Sequence, residues 1–250
     1  MTMTSHHSNE PGKCHKSLFF PRLQLYLTLG LTTLALASCG GGGGGSAAAT
    51  ATITSISPVG MVQATTRNIA ITGTNFSSGM TLSLTSNSLG TIPVTPISVL
   101  STLITASVTI STAPTERYVT VNILSNGTTV ASTILGVASV SNTLLADIQP
   151  IFTASCGGCH TGNATQNYLD LSSYAATAGA NGPINQPSVG AGCSSKLRVK
   201  PGDPRSNYSV LIDKISNNSP CTGSKMTGSP TALVTQNITD IIEWVAGGAN

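Results

Sequence analysis

Between about Thr52 and Val137 apolar and polar positions alternate with a period of two. Ile69-Ala70-Ile71, Leu82-Ser83-Leu84, Ile104 to Ile110 and Val119 to Ile123 each put apolar side chains on one face, and β-branched residues fill them. Such segments suit a pleated, half-buried surface. Gly73-Thr74-Asn75, Ser77-Ser78-Gly79, Ser86-Asn87, Ala113-Pro114 and Asn126-Gly127 punctuate them. Short strands at this spacing predict an antiparallel β-sandwich over residues 52–138. From Ser141 the period changes. Leu144, Leu145, Ile148 and Phe152 fall on one helical face, with Ser141 or Asn142 as the N-cap and Pro150 expected to kink or end the helix. Near the end, Val234, Ile238, Ile241, Ile242 and Val245 repeat at helical spacing, with Thr235 as the N-cap and Gly247-Gly248 as the stop. The polar, Gly- and Pro-rich stretches between these helices cannot by themselves fill a core. The spacing therefore predicts that residues 141–250 need something besides side chains at their centre.

A third pattern occupies the N-terminus. Lys13, Lys16 and Arg22 precede an uncharged apolar run from Leu23 to Ala37, too short for the ~20 residues of a membrane-spanning helix. This reads as an export signal over residues 1–38. Its end, Leu36-Ala37-Ser38-Cys39-Gly40, resembles the lipobox of bacterial lipoproteins. The resemblance implies that the Cys39 thiol becomes lipidated and holds the chain on a membrane, with several acyl chains giving stable anchoring. Gly40, rather than Asp, after the cysteine implies the outer membrane of a bacterial envelope, facing periplasm or cell surface. Gly40 to Gly45 then form an unbroken glycine run within a flexible tether over residues 39–51.

Composition narrows the function. The 250 residues carry 11 Lys+Arg, 8 Asp+Glu and a formal charge of +3. Three of those cations lie in the export signal, and without it 8 Lys+Arg face 7 Asp+Glu. No dense basic patch remains, which argues against nucleic-acid binding. A charged fraction of 8% with abundant Thr, Ser, Gly and Asn fits an exported, strand-rich protein better than a cytosolic enzyme.

The chemistry concentrates in Cys156-Gly157-Gly158-Cys159-His160, directly after the first helical segment. Cys-x-x-Cys-His is the attachment pattern of c-type haem. Two thiols add across the two vinyl groups and the adjacent imidazole becomes the proximal iron ligand. His6, His7 and His15 all precede Cys39, so His160 is the one histidine after the proposed processing point. A second histidine ligand from the same processed chain is thereby excluded. Met61 and Met80 fall among the predicted strands, which leaves Met226, 66 residues after His160, as the candidate sixth ligand. Two other readings stand beside this one. A redox dithiol would use the same Cys-x-x-Cys, but no βαβ pattern surrounds it. A zinc site would add Cys193 and Cys221, though 33 and 27 residues separate the successive cysteines. In an oxidising compartment Cys193 and Cys221 are instead expected to pair, closing a loop that restrains the segment before Met226 and contributes ~3 kcal/mol.

Two further resemblances give these patterns a fold. Ile53 to Pro58 and Ile69-Ala70-Ile71-Thr72-Gly73-Thr74-Asn75-Phe76 resemble the IPT/TIG family of immunoglobulin-like domains. In that reading Gly73 supplies a positive φ and Phe76 fills the sandwich edge. The domain's expected role is spacing or docking, with recognition of a protein or glycan as the sharper alternative. Over residues 143–249 the chain resembles the class I c-type cytochromes, an all-α fold. The resemblance rests on the helix before Cys156, the Lys225-Met226-Thr227 loop, and Ile241 to Ala249 with its Trp-x-x-Gly-Gly-Ala pattern. It implies that the terminal helix crosses the first one. Pro201-Gly202-Asp203-Pro204 with Ser206 to Ile215 resembles a turn and short helix of bacterial membrane-associated cytochromes, while Thr227 departs from the proline usual after the methionine. The expectation is therefore a lipid-anchored monohaem cytochrome c with one covalent haem, passing single electrons to an envelope redox partner. The alternatives are a haem subunit of an envelope oxidoreductase and a surface-binding lipoprotein with an auxiliary haem.

Overall fold

The computed structural model describes residues 49–139, 144–160, 169–173, 176–177, 179, 182–228 and 231–250. The export signal, Cys39, the glycine run and the expected caps Ser141 and Asn142 lie outside the described residues. Nine strands come first: β1 (Thr52–Ser57), β2 (Gly60–Val62), β3 (Thr66–Thr74), β4 (Thr81–Ser86), β5 (Gly90–Val94), β6 (Pro96–Leu100), β7 (Leu103–Thr109), β8 (Tyr118–Ser125) and β9 (Thr128–Ala138). They form two sheets, β1-β3-β7-β6 and β2-β9-β8-β4-β5, antiparallel throughout except for the β2–β9 pair. Alternate residues of both sheets point inward. Ile69 and Ile71 of β3, Ile104 and Val108 of β7, and Leu84, Val121 and Leu135 from the other sheet meet in one apolar core. This is an immunoglobulin-like sandwich, and the period-two pattern accounts for it residue by residue. Met61 and Met80 are buried in it, as the strand pattern implies. The hairpin between β8 and β9 closes on Asn126 and Gly127, both at positive φ, the turn that an Asn-Gly pair favours.

The Gly-Thr-Asn-Phe step is built differently from the expectation. Gly73 is not at positive φ; that conformation belongs to Asn75, at φ 60. A Cβ on Gly73 would run into the Thr52 carbonyl of β1 and the Phe76 ring. Gly73 is therefore required by close approach, and Asn75, a residue type that tolerates the left-handed region, is held there by its side-chain amide, which donates to the distant Thr50 carbonyl at 2.9 Å. Phe76 is buried, as expected.

After the sandwich come α1 (Leu145–Ser155), α2 (Val210–Ser216) and α3 (Thr235–Ala246), with a 3-10 turn at Ala191–Cys193. The caps fall elsewhere than the sequence suggested. Leu144 and Val234 occupy the N-cap positions, so Thr235 begins α3 rather than capping it. In each case a side chain three residues on accepts the cap's N–H: Asp147 from Leu144 at 2.9 Å and Asn237 from Val234 at 3.1 Å. Leu144 and Val234 are consequently exposed, although both continue the apolar stripe. Pro150 neither ends nor breaks α1; it sits on the exposed side in the second turn, where the helix continues to Ser155. The described part of this lobe is not purely helical. Isolated bridges join Ile184 to Val199, Pro187 to Leu197, and Leu197 to Ser209.

A second apolar cluster centres on Trp244 and Phe152, whose rings meet edge to face at 5.8 Å, so α3 does pack across α1. Residues 47–250 form one compact unit, and a buried joint ties sandwich to helices. The Glu243 carboxylate on α3 accepts from Arg117 Nε, from the Ser139 N–H at 2.7 Å and from the Ser139 hydroxyl at 2.6 Å. Alongside, the Pro201-Gly202-Asp203-Pro204 turn wedges between α3 and the sandwich. Gly202 lies at φ 73, donates to the Val245 carbonyl at 2.8 Å, and has the Val59 carbonyl where a Cβ would be.

Candidate functional site

The last turn of α1 delivers the motif. The amides of Cys156 and Gly157 both donate to the Phe152 carbonyl at 2.8 Å, and those of Cys159 and His160 donate to the Cys156 carbonyl at 3.1 and 2.9 Å. Cys156-Gly157-Gly158-Cys159-His160 is thus a tight turn against the helix end. Phe152, four residues earlier, anchors it in the core. Cys156 is buried and Cys159 exposed, and neither is part of a disulfide. Burial, and then the neighbouring Cys159 charge, push the Cys156 thiol up to about 11. It is therefore held as a thiol and not as the reactive thiolate of a redox dithiol.

His160 is buried, at 8% exposure, and among the described residues its Nδ1 has no hydrogen-bond partner. Burial lowers its pKa; the Leu169 backbone works in the opposite direction and the Lys214 charge adds to the lowering. A neutral imidazole with an unpartnered ring nitrogen is in the form that ligates a metal. Met226 approaches from the other end of the sequence. It is half-buried against the Trp244–Phe152 cluster, and its amide donates to the Lys214 carbonyl at 2.7 Å. The Lys214 ammonium in turn donates to the Thr222 and Ser224 carbonyls, each at 2.7 Å. One helical residue therefore grips the Met226 segment at three points.

Two cavities of about 270 Å³ each adjoin this group. Cys156, His160 and Met226 line both of them. The first is otherwise largely apolar, walled by Leu169, Leu171, Val210 and Leu211, with Arg198 and Lys214 as its charged residues. The second carries Cys159 and Leu233 and, among the described residues, no charged side chain. The structure thus brings together four of the residues singled out in the sequence, Cys156, Cys159, His160 and Met226. Cys193 and Cys221 lie apart as a disulfide, with Cα atoms 5.5 Å apart. That bond removes two of the four thiolates a zinc site would need. Its place is structural: the Cys221 amide donates to Asp213 on α2 at 2.9 Å, next to the lysine that grips Met226.

The residues present fit a covalently held haem. The donor set is two thiols, one neutral imidazole and one soft thioether, around paired cavities with mostly apolar walls. Sequence reasoning missed Arg198 and Lys214. Lys214 carried a signal, a lysine amid the apolar Leu211, Ile212 and Ile215 of α2; Arg198, in an irregular stretch, carried none. It also missed the Arg117–Glu243 pair, which joins residues 126 apart. No described helix is long and apolar enough to cross a membrane.

No family model and no curated protein matches the chain. Among solved structures, the Lin-41 filamin domain is similar at 19% identity, covering 36% of this chain and 94% of that one, with a TM-score of 0.28. The TIG domain of human nuclear factor of activated T-cells, cytoplasmic 4, is similar at 15% identity, covering 40% of this chain and 96% of that one, with a TM-score of 0.32. At these scores the overlaps add no weight of their own; the immunoglobulin-like assignment rests on the strand order and register described above.

Proposed function

We propose that this chain is a lipid-anchored monohaem c-type cytochrome that passes single electrons at a bacterial cell envelope. Cys156 and Cys159 would hold the haem by thioethers, with His160 and Met226 as axial ligands and Cys39 as the lipid site. The observation that carries this reading is that His160 and Met226, distant in sequence, line the same two cavities as Cys156. The order of helix, Cys-x-x-Cys-His, methionine loop and closing helix supports the finer reading of a class I cytochrome domain. Bound there, haem supplies a one-electron couple at its iron.

The chain's own residues set the conditions for that couple. Burial keeps His160 neutral, so its ring can ligate without first losing a proton. The Met226 thioether, a soft and neutral donor, favours the ferrous state more than a second imidazole would. Phe152, Leu171 and Trp244 exclude water beside the site. With His160 and Met226 both holding the iron, no coordination position would be left for a substrate, so the arrangement favours a carrier over an enzyme. The sandwich, joined through Glu243, would set the carrier's distance from the membrane.

The test is to produce the full chain alongside a cytochrome c maturation system and fractionate the cells. The pyridine haemochrome of the membrane fraction should report one haem per chain with both vinyl groups saturated. Cys156→Ala with Cys159→Ala should abolish covalent haem, and Cys39→Ser should move the haem protein to the soluble fraction. A matured chain without covalent haem sinks the cytochrome reading; membrane retention of the Cys39 variant sinks the anchor.

A further inference from the structure

The two cavities differ in charge, and the difference gives the site a direction. Among the described residues, the cavity carrying Cys159 has no charged side chain on its wall. The first cavity, which shares Cys156, His160 and Met226 with it, has Arg198 and Lys214. Neither cation is there by accident of an exposed surface. Lys214 is 9% exposed, and its ammonium is fixed by the Thr222 and Ser224 carbonyls. Arg198 is half-buried, with its backbone clamped by the Gln186 carbonyl at 2.7 Å and the Leu211 amide at 2.8 Å. Two carbonyl dipoles compensate Lys214 only in part, since an ammonium has three donors.

A tetrapyrrole of the haem type is itself directional. Its two vinyl groups lie on one half of the ring and its two propionate carboxylates on the other. Cys156 and Cys159 fix where the vinyl half must be. Resting on the haem reading above, we infer that Arg198 and Lys214 receive the two carboxylates of the bound group, and so select its orientation before the thioethers form. Two anions would then meet two cations in a setting largely shielded from water, where charge-assisted hydrogen bonds are strong. The guanidinium offers a planar fork for one carboxylate, the ammonium a point charge for the other. The class of ligand recognised is a planar, apolar macrocycle with two acidic groups on one edge.

The experiment uses the full chain made without the attachment machinery, titrated separately with ferric protoporphyrin IX and with its dimethyl ester, which lacks both anionic groups. Affinity is read from the Soret band. The wild-type chain should bind the free acid at least about tenfold tighter than the ester. Arg198→Gln should weaken the free acid about tenfold and leave the ester unchanged; Lys214→Met, which also releases the Met226 segment, should weaken the free acid about tenfold more than it weakens the ester, and Lys214→Arg should restore the preference. Equal affinity of the wild-type chain for acid and ester overturns the inference while leaving the haem reading intact. A variant that weakens acid and ester alike has lost architecture, and the carboxylate role of that residue falls. A wild-type chain that binds neither compound overturns the haem reading, and the inference with it.

Discussion

Met226 is placed by others more than by itself. Its amide is held by the Lys214 carbonyl, its segment by the Lys214 ammonium, and its side chain by the apolar cluster around Trp244. Truncating the thioether should therefore change ligation without unfolding the segment. Met226→Ala in the matured protein should lower the reduction potential by a sizeable part of the ~0.8 V over which axial ligands set haem potentials. It should also open the ferrous form to carbon monoxide, while covalent haem on Cys156 and Cys159 persists. Met226→His should lower the potential yet keep carbon monoxide out. Redox titration and a carbon monoxide difference spectrum read both, and an unaltered potential in Met226→Ala would mean that another group occupies the sixth position. Met226 could be found in sequence because it is the one methionine after His160. Gly73 shows the opposite case. Its need for glycine was legible, but the cause was not, because the Thr52 carbonyl that fills its Cβ position comes from a strand 21 residues away.

At the level of elements, α2 is the scaffold on which the site is hung. Asp213 and Lys214 are consecutive, yet both are buried and hold different parts of the same segment: Asp213 accepts the Cys221 amide and the Lys196 ammonium at 3.0 Å, and Lys214 grips residues 222–226. Burial raises the Asp213 carboxyl, but the Cys221 amide, Asn217 and Lys196 outweigh it and hold the group below the usual carboxylate range. The Cys193–Cys221 disulfide closes the loop that α2 sits in. Removing it with Cys193→Ser and Cys221→Ser together should cost about 3–4 kcal/mol in the chain-entropy model. The loosening should be local as well. Amide hydrogen exchange over residues 221–228 should accelerate about tenfold or more, while exchange in β3, β7 and β8 stays unchanged. Uniform acceleration across the sandwich would show that the disulfide stabilises the whole unit and does not specifically restrain the ligand segment. The pairing was readable from compartment and cysteine count. The short helix was readable too, but not its use, since the carbonyls and amides that Asp213 and Lys214 hold lie in a later, irregular stretch.

At the scale of the whole described molecule, the change of period near Ser141 marks where the strand pattern gives way to the helical one and carries no sign of how the two parts meet. The structure buries Glu243 between the two lobes at 3% exposure, with Arg117 and Ser139 as its partners. Arg205 reinforces the joint, stacking on Tyr208 at 4.0 Å and on Tyr118 of β8 at 5.3 Å while pairing with Asp203. Long-range charge pairs leave no periodic trace, which is why Arg117 and Glu243 went unremarked in the sequence. The consequence is mechanical coupling. Glu243 occupies the same helix as Trp244, whose ring supports Phe152 and, through it, the Cys156 turn. Glu243→Ala would leave the Ser139 amide without its acceptor and the partly exposed Arg117 without its counter-charge. The cost should be about 2–4 kcal/mol, below the full penalty of a wholly buried pair because Arg117 reaches water. Calorimetry of the haem-loaded chain should show one transition for the wild type and two for Glu243→Ala. The component followed at the Soret band should melt lower than the component followed by far-ultraviolet strand signal. Two separate transitions already present in the wild-type chain, unmoved by the substitution, would show that the lobes fold independently and that the sandwich is only a spacer.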